Sequence, residues 1–127
     1  MNRTWIGRAG VRGASLLSWW ESFSWSDGVQ MDHLDACDRL TVLTQQSTYE
    51  IVVVAPTEGK VLVRGGQFFP DFTRARLMGA TLGGSFVKVR SVHLGFRIEF
   101  GVGRECVVTS PVKTFALTTY CPPSEVM

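Results

Sequence analysis

The feature that most constrains this 127-residue chain is the spacing of its turn residues after Leu40. Glycine and proline clusters divide that region into short segments rich in β-branched and aromatic residues, about 8 to 12 residues apart, as in all-β sandwiches and barrels. A parallel α/β sheet is excluded, because each crossover needs about a dozen residues or more, usually in a helix. We therefore predict an all-β fold, a small antiparallel β-barrel or barrel-like sandwich of about six to eight short strands.

Two hairpins and one alternating strand are predicted within this region. STYEIVVVA and VLVRGG flank the turn APTEGK, and RARLMGAT and SFVKVR flank a glycine pair. The segment QFFPDFT is predicted to be a loop or short turn with buried phenylalanines, because Pro70 cannot donate a hydrogen bond in a central strand. In HLGFRIEF the large apolar residues recur at every second position and predict the buried face of a strand: Leu94, Phe96, Ile98 and Phe100.

One short helix is predicted, near residues 32–40. The segment DHLDACDRL places aspartates near its start, where the helix dipole favours negative charge. Leu34 and Cys37 would then lie on one side of the helix. We expect this helix to cover one end of the β domain.

Residues 1–30 differ in composition from the rest of the chain. They hold all four tryptophans and three arginines but no lysine, and they follow neither the strand period nor the helix period. In one interpretation a helix over Ala14–Phe23 docks on the β domain or on a partner. In the interpretation we favour, the natural polypeptide begins at Met31, and residues 1–30 are a disordered or non-native extension. Residues 31–121 are then a single β domain and residues 122–127 a tail.

The cysteines and the hydropathy favour a reducing, cytoplasmic setting. Cys37, Cys106 and Cys121 are odd in number and widely spaced, which supports neither a disulfide framework nor a zinc site. No apolar run reaches the roughly 18 to 20 residues needed to cross a bilayer. We expect a cytoplasmic protein that binds no metal and no cofactor and has no membrane partner.

No motif predicts catalysis. His33 lies among aspartates with no known metal-ligand spacing, and His93 opens a predicted strand. The segment GATLGGS lacks the Lys-Ser/Thr ending of a phosphate-binding P-loop and the glycine order of a dinucleotide site. RAGVR matches the RxxxR part of a cyclic-dinucleotide-binding PilZ motif, but the second part of that motif is missing. We therefore expect no catalytic residues and no enzymatic activity.

The candidate site is a basic region in the middle of the chain. Arg74 and Arg76 share a strand face by the period of two, as do Lys88 and Arg90. If these two stretches pair, the four side chains form a patch for an anion or a single-stranded nucleic acid, next to the aromatic residues of QFFPDFT. The alternative is a solvated face whose charges prevent aggregation through strand edges. The net charge of +2 favours this alternative.

A resemblance to known proteins rests on three segments of the chain: STYEIVVVAPTEGKVLVRGGQFFPDF, LMGATLGGSFVKV and VVTSPV. Between about residues 40 and 112 the sequence resembles short bacterial all-β proteins of uncharacterised function. The resemblance implies an all-β bacterial protein and transfers no site residues.

From these observations we expect a small binding or interaction module. Its partner would be an unidentified protein, or a second copy that pairs through an exposed strand edge. Binding of an anionic ligand or a single-stranded nucleic acid through Arg74, Arg76, Lys88 and Arg90 is the alternative function.

Overall fold

The computed structural model describes residues 2–8, 27–83 and 87–120. It confirms the all-β prediction, with eleven strands and two short 3-10 turns, Met31–His33 and Pro56–Glu58. The strands are β1 (Asn2–Arg8), β2 (Gly28–Gln30), β3 (Arg39–Thr44), β4 (Thr48–Ala55), β5 (Lys60–Gly65), β6 (Phe69–Thr81), β7 (Val87–Val89), β8 (Ser91–His93), β9 (Arg97–Val102), β10 (Glu105–Val108) and β11 (Val112–Tyr120). The number exceeds the predicted range because β2, β7 and β8 have only three residues each and because β1 lies in the N-terminal region.

Antiparallel pairing joins these strands into two sheets. Nine strands form the larger sheet, in the order β1-β11-β3-β4-β5-β6-β9-β10, with β7 also paired to β6, and β2 pairs with β8 in the smaller sheet. In the described residues β1 and β10 end the path and do not pair with each other, so hydrogen bonding closes no barrel.

Both predicted hairpins are present. The β4–β5 turn contains Pro56–Glu58 and Gly59, whose φ of 73° lies in the left-handed region that favours glycine. The second hairpin pairs the end of β6 with β7, with Lys88 opposite Ala80. Strand β6 has 13 residues and contacts three neighbours, since its first part pairs with β5 and its last part with β7 and β9.

The core lies on one side of the large sheet and consists of aliphatic and aromatic side chains. Phe69 packs edge-on against Phe100, with ring centroids 5.6 Å apart. All four alternating residues of HLGFRIEF are buried, as predicted: Leu94, Phe96, Ile98 and Phe100. The strand itself is shorter than predicted, because residues 94–96 form a turn and β9 begins only at Arg97.

The predicted helix near residues 32–40 is wrong. After the single 3-10 turn the chain makes a tight turn, in which the backbone N–H of Asp35 donates to the buried carboxylate of Asp38 at 2.9 Å. Cys37 has a φ of 75°, and its N–H donates to the carbonyl of Val53 on β4 at 2.8 Å. In this turn the Asp38 carboxylate accepts a hydrogen bond from a backbone N–H. Such bonds between side chain and backbone compete with the hydrogen bonds of a helix.

Parts of the N-terminal region form strands where the sequence predicted no regular element. Strand β1 pairs with β11, and β2 pairs with β8. The helix proposed over Ala14–Phe23 and the tail 122–127 lie outside the described residues. That residues 1–30 are a disordered or non-native extension stays a prediction.

Candidate anion-binding groove

The outer face of β6 carries two of the predicted site residues. Thr73 and Ala75 oppose the buried residues Val63 and Val61 of β5, so odd positions face the core. Arg74 and Arg76 are exposed on the opposite face, as the period of two predicts, about 7 Å apart along the strand.

These arginines line a concave groove on the outer face of the sheet, which we call the cationic groove. Its volume is about 920 Å³, and its lining comes from β4, β5, β6, β9, β10 and the β9–β10 turn. The residues that matter for its chemistry are Val54, Lys60, Leu62, Arg74, Arg76, Met78, Glu99, Gly101, Arg104, Glu105 and Cys106. Four cationic and two acidic side chains therefore meet in a partly apolar depression.

One row of paired residues crosses the groove. Lys60 lies opposite Arg76, Arg76 opposite Gly101, and Gly101 opposite Cys106. The backbones of Arg76 and Cys106 are therefore two strand spacings, about 10 Å, apart, and Gly101 between them adds no side chain. A Cβ atom at Gly101 would lie 3.4 Å from the Sδ of Met78, so this glycine is the floor of the groove.

The arginines of the groove have no carboxylate partner. Within the described residues, Arg74, Arg76 and Arg104 form no ion pair and no side-chain hydrogen bond. Lys60 is paired with Glu58 at 3.3 Å, on an exposed site where such pairs contribute little. Three guanidinium groups are thus free to bind a ligand.

Cys106 lines the groove as an exposed residue. Desolvation raises the pKa of its thiol, and the negative charge of Glu99 raises the pKa further. Cys106 is therefore a protonated, weakly nucleophilic thiol at neutral pH. It lies at the far side of the groove, where it can report on whether the groove is occupied.

Lys88 and Arg90 do not complete the compact patch with Arg74 and Arg76 that the hairpin pairing predicted. The register places Lys88 opposite Ala80, four residues beyond Arg76 along β6. The stem of Arg90 lies close to that of Arg76, since a Cβ at Gly59 would come within 3.3 Å of Arg76 Cγ and 3.5 Å of Arg90 Cγ. The Arg90 guanidinium, however, is bound to Asp32.

The aromatic residues next to the groove are placed differently from the prediction. Phe69 is buried, but Phe68 is 67% exposed and Phe72 is 38% exposed, so the prediction that all three are buried is wrong. Only Gln67 and Phe68 of QFFPDFT lie in a turn, because β6 begins at Phe69 and accepts Pro70 as its second residue, close to the strand end where proline is tolerated. Phe72 therefore lies on the same outward face as Arg74.

Sequence reasoning missed Arg104 and Lys60 as groove residues. Arg104 lies in the turn between β9 and β10, and only the pairing of β9 with β6 brings it to the groove. Lys60 could have been predicted from the sequence, since the predicted β4–β5 hairpin places it at the start of β5. No local sequence signal identifies Arg104, because a turn residue has no alternating partner.

Of the residues considered for catalysis in the sequence, His93 belongs to the core. His93 is fully buried, its Nδ1 lies 3.0 Å from the carbonyl oxygen of Leu94, and its ring packs edge-on against Phe96. In the described part of the chain, no group of three or more histidine, cysteine or acidic residues is arranged to hold a metal ion. No described helix has the length and apolar character to cross a membrane.

Comparisons of this chain with protein-family models, with curated proteins and with solved structures give no match.

Proposed function

We propose that this protein is a non-catalytic, barrel-like binding module and that its cationic groove holds an anionic ligand. The observation that supports the proposal most directly is that Arg74, Arg76 and Arg104 line one groove and have no carboxylate partner among the residues that the structure describes. A guanidinium group presents a planar fork of N–H donors that fits two oxygens of a phosphate or carboxylate group. Three such groups around one depression favour a ligand with several anionic groups.

The shape and the charge pattern of the groove favour binding over a merely solvated face. Charges that only maintain solubility are expected to mix both signs over a convex surface. This face is concave and also holds Glu99 and Glu105, yet within the described residues Arg74 and Arg76 pair with neither of them, while the nearby Glu50 and Glu58 are paired with Arg64 and Lys60. Gly101 keeps the floor open between Arg76 and Cys106.

Calorimetric titration with short-chain inorganic polyphosphate at low salt tests the proposal. We expect binding that weakens as salt rises, because phosphate contacts release counterions. Arg74→Gln and Arg76→Gln should each weaken binding about tenfold or more, as expected for a lost hydrogen bond to a charged group. Lys113→Gln is the matched control, since it removes the same charge from β11, outside the groove.

A second variant separates binding in the groove from attraction to net charge. Gly101→Val fills the floor and leaves every charge in place, and a β-branched residue suits a strand. We expect this variant to weaken polyphosphate binding as strongly as the arginine variants. Failure of polyphosphate to bind at low salt, or an equal loss in Lys113→Gln, would contradict the proposal.

Self-association through a strand edge is the second proposed function. Strand β10 ends the path of described strands, and Val108 on this strand is 47% exposed. Light scattering over a range of protein concentrations tests it, since a chain that remains monomeric throughout excludes edge pairing. The bacterial resemblance and the cytoplasmic location stay predictions.

A further inference from the structure

An ordered aromatic platform lies in line with the groove arginines. Phe72, Arg74 and Arg76 occupy successive outward positions of β6, about 7 Å apart. The guanidinium carbon of Arg64 lies 4.4 Å from the centroid of the Phe72 ring. Arg64 Nη2 also donates to Glu50 Oε1 at 2.6 Å, which fixes the guanidinium over the ring. The result is a stacked, planar pair next to the cations.

A second aromatic ring is exposed at the turn from β5 to β6. Phe68 is, at 67%, the most exposed large apolar side chain in the part of the chain that the structure describes. Its neighbour Phe69 is inserted in the core, so the backbone that carries Phe68 is fixed by a buried anchor. An exposed ring on a fixed backbone is suited to stacking against a planar ligand.

Charge and stacking together identify one class of ligand. A single-stranded nucleic acid offers regularly spaced phosphates and bases whose faces are free to stack, whereas a duplex hides those faces. Polyphosphate and acidic peptides offer the charge without the planar groups. We infer that the cationic groove binds single-stranded nucleic acid, with phosphates on Arg74 and Arg76 and bases on Phe68 and on the Arg64–Phe72 pair. This inference rests on the proposed function.

The apolar part of the groove is compatible with this ligand. Leu62 lies opposite Arg74, and Met78 lies next to Gly101 at the floor, so sugar and base edges would contact aliphatic groups between the cations. The contacts proposed for the groove cations and the two rings are with phosphates and base faces, which all four bases share. We therefore expect binding that tolerates sequence, as is usual when stacking and phosphate contacts dominate.

Fluorescence anisotropy on the full chain tests the inference. The probes are labelled oligothymidylate and oligouridylate of about 12 nucleotides, within the range of site sizes known for small β-domains. Unlabelled polyphosphate, duplex DNA and polyglutamate serve as competitors. We expect the two single strands to bind more tightly than each competitor at equal concentration of anionic groups.

Substitutions at Phe68 distinguish stacking from charge. Phe68→Ala should weaken oligonucleotide binding about 5- to 100-fold, the range for one lost base–aromatic stack, and leave polyphosphate binding unchanged. Phe68→Tyr keeps the ring and should keep the affinity. Leu43→Ala is the matched control, because Leu43 is an exposed apolar residue of β3 outside the groove.

The outcomes separate this inference from the proposed function. If polyphosphate competes as well as oligothymidylate, or if Phe68→Ala changes neither affinity, the single-strand inference is overturned and the anion groove stands. A preference for polyglutamate or for duplex DNA also overturns the inference. If no anion binds, both are overturned.

Discussion

Asp32 and Arg90 form a two-pronged ion pair, in which Arg90 Nε lies 2.7 Å from Asp32 Oδ1 and Arg90 Nη2 lies 3.0 Å from Asp32 Oδ2. The two residues connect distant parts of the chain, the 3-10 turn before β3 and the corner between β7 and β8. Next to the pair, the N–H of Met31 donates to the carbonyl of Arg90 at 2.8 Å. This pair explains why Arg90 is unavailable to a ligand although its stem lies next to that of Arg76.

The ion pair predicts an unusually acidic Asp32. The hydrogen bond from Arg90 is the main cause that lowers the pKa of Asp32 from 3.8 to about 2. Since the folded-state pKa lies below the unfolded value, the pair stabilises the fold above about pH 4 and this contribution is lost as the pH falls through about 2. Carboxyl NMR titration of Asp32 should show a midpoint near 2.

A matched pair of variants tests the cause of that shift. Arg90→Gln should return the pKa of Asp32 towards 3.8, because the charged donor is lost. Lys113→Gln removes a charge far from Asp32 and should leave the titration unchanged. A midpoint near 4 in the unsubstituted protein would show that the ion pair does not form in solution.

Substitution of the neighbours Phe68 and Phe69 by alanine is predicted to change stability by very different amounts. Phe69 is 1% exposed and packs on Phe100, so Phe69→Ala should lower the free energy of unfolding by about 3 to 5 kcal/mol. Phe68 points into solvent, and Phe68→Ala should change stability by no more than about 0.5 kcal/mol. Urea denaturation followed by circular dichroism measures both values.

The stability measurement is also a control for the oligonucleotide-binding experiment. A stable Phe68→Ala protein shows that any loss of oligonucleotide affinity comes from the missing ring and not from unfolding. Similar destabilisation by the two substitutions would mean that Phe68 is packed in the folded protein, contrary to the structure.

The negative charge of Glu99 near Cys106 predicts the reactivity of the thiol. Glu99→Gln removes a negative charge that raises the pKa of Cys106, so alkylation by iodoacetamide should reach its half-maximal rate at a lower pH. Mass spectrometry of the peptide that contains Cys106 measures the rate, with the exposed Cys37 as an internal control. Glu105→Gln is the matched control, because this neighbouring carboxylate has no such effect on the thiol.

Alkylation of Cys106 also reports on the groove. Bound polyphosphate or oligothymidylate should slow the reaction at Cys106 and leave the reaction at Cys37 unchanged, because only Cys106 lines the groove. An unchanged pH profile in Glu99→Gln would show that Glu99 does not influence the thiol. Equal protection of both cysteines would place the ligand elsewhere.

Local patterns in the sequence were sufficient for most strands after residue 39 but not for their distant partners. The β4–β5 hairpin follows from β-branched runs around a proline and glycine turn, and the burial of Ile98 and Phe100 follows from a period of two. The helix predicted near residues 32–40 failed because Asp38 is used in a turn, which depends on β4 lying alongside. Tertiary contacts of this kind outweigh helix propensity.

Only part of the candidate site could be predicted from the sequence, for the same reason. Arg74 and Arg76 were found because both belong to one strand, and Phe72 was expected beside them, but its exposure would have followed only if the period of two had been extended back from Arg74. Arg104 and Gly101 reach the groove only through the pairing of β9 with β6, whose register shifts at a bulge between Leu77 and Gly79. Such a bulge is set by packing between distant strands, which a single sequence does not specify.

The alternation of inward and outward residues in β6 limits which insertions and deletions the chain can tolerate during evolution. Its alternate residues serve the interior and the groove, so inserting one residue ahead of Arg74 would turn both arginines inward and expose Ala75 and Leu77 to water. Insertion of two residues would keep the sides intact. Unless a new bulge absorbs the change, this strand can gain or lose residues only in even numbers, and the interior and the groove must evolve together.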